Sequence, residues 1–221
     1  MSQRQIETVI TEELFPGDLL FQLRSGGEAE WVISRLFAGR DGIAINHVGL
    51  YDGDGQVIEA VMPEVRKTSM DVFIENSVRD NHGNPCLLIA RVQSEYAELI
   101  PLALEFAEST LATPYDAHYG TGKKSWYCSE LIIDAFRHAN KGKFLFHETP
   151  MGFRDMESGE LMPYWIAHYK AIDQEIPEGL PGSHPALLSR SDKIIPVNLV
   201  GALPAKETGQ WFESDNGAML A

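Results

Sequence analysis

Hydrophobic and polar positions along the chain change period several times, and each change marks an element. After the turn residues Phe15-Pro16-Gly17-Asp18, the run Leu19-Leu20-Phe21 has the length of a buried strand and ends at Arg24-Ser25-Gly26-Gly27. From Glu28 to Phe37, Trp31, Val32, Ile33, Leu36 and Phe37 recur at helical spacing, and Gly39 marks the stop. Two β-rich runs follow, Ile43 to Tyr51 and Gln56 to Met62, and Asp52-Gly53-Asp54-Gly55 between them predicts a hairpin. Val65 to Ile74 is ambiguous between strand and helix. Pro85 to Val92 reads as a central strand, and Leu99 to Leu111 as a helix with Pro101 in its first turn. A turn-rich loop over 113–122 leads to a second helix, Cys128 to Asn140, which carries Cys128, Ile132, Ala135, Phe136 and Ala139 on one face and closes at Lys141-Gly142. Beyond His147, seven of the twelve prolines (Pro150, Pro163, Pro177, Pro181, Pro185, Pro196, Pro204) and few periodic segments predict loops wrapped round the core.

Composition narrows the class. With 221 residues, 44% hydrophobic and 23% charged, the chain can bury one core without disulfide or metal staples. One domain is expected over 15–204, with an N-terminal extension over 1–14 and a flexible tail over 205–221. A net charge of −14 repels phosphate backbones and anionic surfaces, so nucleic acid is excluded as an expected partner. Two cysteines, Cys86 and Cys128, are too few for a disulfide scaffold or a four-thiolate zinc site. No stretch approaches the ~20 apolar residues of a membrane span, and the first residues lack a signal-like run, which predicts a cytoplasmic protein without an integral membrane segment. Oligomeric state leaves no signature.

Cys128 is the candidate nucleophile because it opens a predicted helix, where free backbone N–H groups and the positive end of the dipole favour an anion. Thiols at such positions beside an imidazole fall from about 8.5 to roughly 3.5–7.5, and the same N–H groups can receive an oxyanion. A cysteine at a helix start is also a common buried packing residue, so a base must be found before the thiol means anything. His47 supplies one by parity: in His47-Val48-Gly49-Leu50-Tyr51, Val48 and Leu50 share one face and His47 and Tyr51 the other. A turn centred on Gly53 would put Glu59 directly opposite His47, where a carboxylate can fix the imidazole tautomer and raise its basicity. The alternative, an ordinary cross-strand polar pair, stays open on spacing alone.

The segments His47 to Ala60, Thr113-Pro114-Tyr115 and Trp126-Tyr127-Cys128-Ser129-Glu130-Leu131 resemble the histidine hairpin and nucleophile segment of NlpC-type papain-like cysteine peptidases. Their order is reversed here, histidine before cysteine, which is similar to the circularly permuted, YiiX-like amidases. Gly17-Asp18-Leu19-Leu20-Phe21 and Leu188-Ser189-Arg190-Ser191 resemble the same permuted group, so the likeness covers roughly residues 15 to 195. It implies an α+β, circularly permuted papain-like fold, with an antiparallel sheet or barrel packed against the nucleophile helix. It also implies Cys128 as nucleophile, His47 as general base and then acid, and Glu59 as the orienting residue where the unpermuted family often has a second histidine. Tyr115 matches a tyrosine beside the nucleophile, which would polarise a carbonyl or place the substrate; packing at a loop anchor is the competing reading. Asp116-Ala117-His118 stand where that family is glycine-rich, so substrate contacts of that loop do not transfer.

Other chemistry is set aside. Gly120-Thr121-Gly122-Lys123-Lys124-Ser125 fails the phosphate-loop pattern at Ala117 and Lys124. His82, His118, His138, His147, His168 and His184 show no ligand spacing with a cysteine or carboxylate, so no metal is expected. Cys86 lies in an apolar run and reads as a core residue. The expected activity is a cofactor-free cysteine amidase or peptidase. Its substrate would be a small peptide, an N-acyl amine or a lipid-like amide. An acyltransferase sharing the thioacyl intermediate, and a binding module that has lost turnover, are the alternatives.

Overall fold

The computed structural model describes residues 14–120 and 124–202. The expectations for the extension, apart from Leu14, and for the tail fall outside the described residues, as do Thr121, Gly122 and Lys123 of the loop. A six-stranded antiparallel sheet organises the described part, with strands β1 (Leu19–Gln22), β2 (His47–Tyr51), β3 (Gln56–Val61), β4 (Glu64–Ser69), β5 (Leu87–Val92) and β8 (Ile194–Val200). Their order is β4-β3-β2-β1-β5-β8. A short ribbon pairs β6 (Thr149–Pro150) with β7 (Pro181–Gly182).

Both faces of the sheet are covered. On one, Phe21, Val48, Leu50, Ile58 and Ala60 pack against helix α3 (Ile100–Ser109) and against α4 (Cys128–Ala139), whose Leu131, Ile132, Ala135 and Phe136 are buried. On the other, Leu20, Tyr51, Val57 and Ile89 meet Met70, Phe73 and Ile74 of α2 (Met70–Glu75). The strands therefore read as nearly continuous apolar runs rather than a clean alternation. A third, separate core joins α1 (Glu28–Leu36) to α5 (Pro163–Ala171) through Val32, Leu36, Met151, Phe153, Trp165 and Tyr169. One further turn of helix, α6 (Pro185–Leu188), packs on the first core through Ala186 and Leu188.

One open reading is resolved and two expectations are corrected. The ambiguous Val65 to Ile74 divides into β4 and α2 at Ser69, whose hydroxyl accepts the Val72 amide as a helix cap. The last third is not only loops, since α5 and β8 lie in it. Pro163 stands at the helix start, where its missing N–H is harmless. Pro196 sits in an edge strand, beside a register shift between Ile89 and Ala90 on β5, where a lost ladder bond is tolerated. The hairpin turn is centred on Asp54, not Gly53, because the Asp52 carboxylate accepts from the amides of Asp54 (2.8 Å) and Gln56 (3.2 Å). The pairs are consequently Leu50↔Ile58 and Tyr51↔Val57, and Glu59 is diagonal to His47 instead of opposite it. That displacement amounts to two positions, so the two side chains keep the same face.

Candidate active site

His47 is the first residue of β2, at the end of the sheet, and Asn46 before it ties that end down. The Asn46 side chain accepts the Arg24 amide at 2.6 Å and donates to the carbonyls of Arg24 and Glu30, both at 3.0 Å. Glu59 reaches the same place from β3, and its Oε2 lies 2.7 Å from His47 Nε2. Cys128 is the first residue of α4, after Tyr127 in extended conformation, and the first intrahelical bond runs from the Leu131 amide to the Tyr127 carbonyl. The amides of Cys128, Ser129 and Glu130 thus have no carbonyl to meet within the helix. The first core presses α4 onto β2 and β3, so that Cys128 and His47 line the same cavity and interact electrostatically. With Nε2 engaged by Glu59, Nδ1 is the ring nitrogen left for a second partner.

All three side chains are shielded, with exposures of 4% for His47, 1% for Glu59 and 6% for Cys128, so their charges interact at short range in little water. Burial alone would lower the imidazole's proton affinity, but the Cys128 and Glu59 hydrogen bonds outweigh it and hold His47 at about 9. Burial likewise works to raise Glu59, and is overcome by His47, Thr68 and the charge of Arg24, which bring the carboxyl to about 2. Cys86 is the contrast: burial, helped by Asp80, pushes its thiol up to about 12. It lies in the first core.

Tyr115 approaches from the loop after α3 and is held by bridges from Pro114 to Glu64 and from Tyr115 to Trp126. Its hydroxyl is 3.4 Å from that of Tyr119. Burial first, then Tyr119 and Cys128, drive the phenol well above its ordinary range, so it remains a neutral donor. Two cavities meet at this point, and Cys128, Tyr115, Tyr119 and Ile33 line both. One is a slot of about 40 Å³ walled by Leu36, Phe37, Met151, Phe153 and Trp165. The other, of about 240 Å³, is lined by polar groups that include Arg24, Glu30, Asn46, His47 and His168.

Of the four sequence-selected residues, Cys128, His47 and Tyr115 thus line one cavity, and Glu59 stands buried behind His47. Sequence reasoning missed Thr68 and Arg66 on β4, which bond Glu59 Oε1, and Tyr119. The register Glu59↔Arg66 follows from a turn at Met62-Pro63, a signal present in the chain but hidden while Val65 to Ile74 stayed ambiguous. Among the described residues no group of three or more His, Cys, Asp or Glu side chains is placed to hold a metal ion. No helix among them is long and apolar enough to cross a membrane.

Comparison with known proteins agrees with this arrangement. A region 26% identical over 171 residues, 62% of this chain and 61% of the relative, is shared with the "Probable lipoprotein peptidase YaeF" of Escherichia coli strain K12. The chain therefore matches less than two thirds of that relative's length. The crystal structure described as "metalloprotein yiiX from Escherichia coli O157:H7" superposes with a TM-score of 0.65 at 20% identity, over 83% of this chain and 96% of that one, and shows the fold to be the same. The family described as "permuted papain-like amidase enzyme, YaeF/YiiX, C92 family" matches residues 13–194. With its histidine strand ahead of its cysteine helix and that match over most of its length, the chain belongs to the permuted papain-like amidases of the YaeF/YiiX, C92 family.

Proposed function

We propose that the protein is a cysteine amidase in which Cys128, His47 and Glu59 form a catalytic triad acting through a thioacyl-enzyme. The observation that carries this reading is the buried chain of contacts from the first residue of α4 through His47 to Glu59. His47, held by Glu59 through Nε2, takes the proton of the Cys128 thiol and becomes an imidazolium beside the thiolate so formed. The sulfur attacks the amide carbonyl, forming a C–S bond, and the oxygen takes the negative charge. Backbone amides at the start of α4 and the neutral Tyr115 hydroxyl are the donors available to it. The imidazolium gives its proton to the leaving amine as the C–N bond breaks. His47, now neutral, takes a proton from water; the hydroxide adds to the thioester, and the carboxylic acid departs as the thiolate reforms.

The cavities suggest how an amide would lie. The apolar slot accepts the acyl side and the larger cavity, which carries Arg24, Glu30 and His168, the amine side, with the scissile bond over Cys128. At about 40 Å³ the slot is narrow. It suits a short acyl group, or the end of a chain that parts Met151 from Phe153. A small peptide or an N-acyl amine is the substrate class supported.

The test begins with iodoacetamide at mildly acidic pH, with labelled peptides mapped by mass spectrometry. Cys128 is expected to react first and Cys86 to stay unmodified; equal, slow labelling at both would end the proposal. Incubation with a panel of N-acyl amines should then release free amine. Cys128→Ser should lower that rate by at least about a thousandfold. If an added amine rather than water takes up the acyl group, the enzyme is a transferase with the same intermediate.

A further inference from the structure

The carboxylate of Glu59 has two oxygens, and the proposed triad uses only one. Oε2 faces His47; Oε1 accepts the Thr68 hydroxyl at 2.5 Å, and Arg66 approaches it at 3.4 Å through Nε and Nη2. Thr68 is buried on β4, registered against Val57, so its side chain reaches Glu59 diagonally across the β3–β4 ladder. Arg66 is directly opposite Glu59, but its side chain is 39% exposed and its contact is long, so water screens it. Among the hydrogen-bonding groups on β4, the hydroxyl is therefore the short and desolvated one.

A terminal carboxylate torsion is broad and nearly two-fold, so a glutamate gripped at one oxygen can rotate and exchange its oxygens or tilt away from a partner. A threonine has a stiff, branched χ1 that holds its hydroxyl in place. We propose that Thr68 is a positioning residue for the triad: by occupying Oε1 it locks the Glu59 carboxylate so that Oε2 stays on His47 Nε2 and the ring keeps Nδ1 toward Cys128. This rests on the triad reading, and extends it to a second strand. The charged and titratable groups facing the pair are His47 from β2, Arg66 from β4, Arg24 after β1 and Cys128 from α4.

The test uses the full chain and three variants. Thr68→Val keeps the branched shape and removes the hydroxyl, Thr68→Ser keeps the hydroxyl, and His47→Ala removes the base. For each, the rate of Cys128 alkylation by iodoacetamide is measured from pH 4 to pH 10, the His47 ring is titrated by NMR, and thermal melting is recorded. In the wild type the imidazolium should persist to about pH 9. In Thr68→Val the His47 titration and the upper limb of the alkylation profile should move down by about one unit, a tenfold loss of proton affinity, while Thr68→Ser restores them. A Thr68→Val profile identical to wild type, with only the melting temperature changed, would reduce Thr68 to a packing residue and overturn the proposal. Failure of the triad itself looks different: wild type and His47→Ala would then alkylate alike, leaving nothing for Thr68 to position. Should Thr68→Val not fold, Thr68→Ala removes the same hydroxyl without the branch, and the same shift is expected.

Discussion

Glu130 lies two residues past Cys128, in the first turn of α4, with one carboxyl oxygen buried and without a partner among the described residues. Burial is the main cause that drives it up to about 8, and Asp134, Asp116 and Glu148 add to it, while the Tyr127 amide pulls the other way. A folded-state value above the ordinary 4.5 means that the native protein binds more protons than the unfolded chain between those limits. The stabilising difference is whole below pH 4.5 and is lost as pH rises through 8. Glu130→Gln should remove this slope: urea unfolding at pH 5 and at pH 8.5 should show the variant gaining relative to wild type only at the higher value. His47 slopes in the same direction between 6.5 and about 9 in both proteins, so the difference between them isolates Glu130. Parity made His47 and Glu59 legible in the sequence, because a turn centre misplaced by one residue moves the pairing by two positions and leaves the side-chain period of the strand intact. Of the causes of the Glu130 shift only Asp134, one turn along the same helix, is local in sequence; the burial and the charges of Asp116 and Glu148 come with the fold.

At the scale of elements, the histidine hairpin depends on a residue with no side chain. A Cβ on Gly49 would lie 2.3 Å from Val57 Cγ1, 3.2 Å from Phe73 Cε2 and 3.4 Å from the Ile58 carbonyl oxygen. The second core therefore closes over β2 only because position 49 is bare. Gly49→Ala should destabilise the fold by about 1–3 kcal/mol, as overpacking does, and should displace the start of β2 that carries His47. Denaturation with parallel alkylation of Cys128 checks both; unchanged stability would mean that Val57 and Phe73 have slack that their full burial conceals. The hairpin, β5 and the two long helices were readable because turn residues and periodicity agreed. β8 and α5 were not, since Pro196 argues against a strand unless its edge position is known. In α5 the buried Trp165 and Tyr169 are interleaved with Tyr164, His168 and exposed Ile166, which blurs the helical stripe.

At the scale of the fold, three cores among the described residues divide the labour: two sandwich the sheet and fix the hairpin against α4, and the third builds one wall of the cleft. Trp165 anchors that third core at 1% exposure, meeting Phe153, Tyr119, Tyr164 and Tyr169 with ring centroids 5.2, 5.4, 4.9 and 6.4 Å away. Its indole N–H has no acceptor among the described residues, an unfavourable feature in a buried group. Trp165→Phe removes that donor and keeps most of the ring, so the loss of volume and the relief of an unpaired N–H offset each other. Trp165→Ala leaves a cavity, which should lower stability by about 3–5 kcal/mol. Because Trp165 belongs to neither sheet core, the Cys128–His47 pair should outlast the change. Alkylation by iodoacetamide should then stay within about twofold of wild type in Trp165→Ala, while a bulky maleimide, excluded by the narrow slot, should gain by roughly tenfold. Trp165→Phe should match wild type with both reagents. If Trp165→Ala instead removes the preference of iodoacetamide for Cys128 over Cys86, the wall and the triad form one cooperative unit, and the separation of the cores is geometric without being energetic.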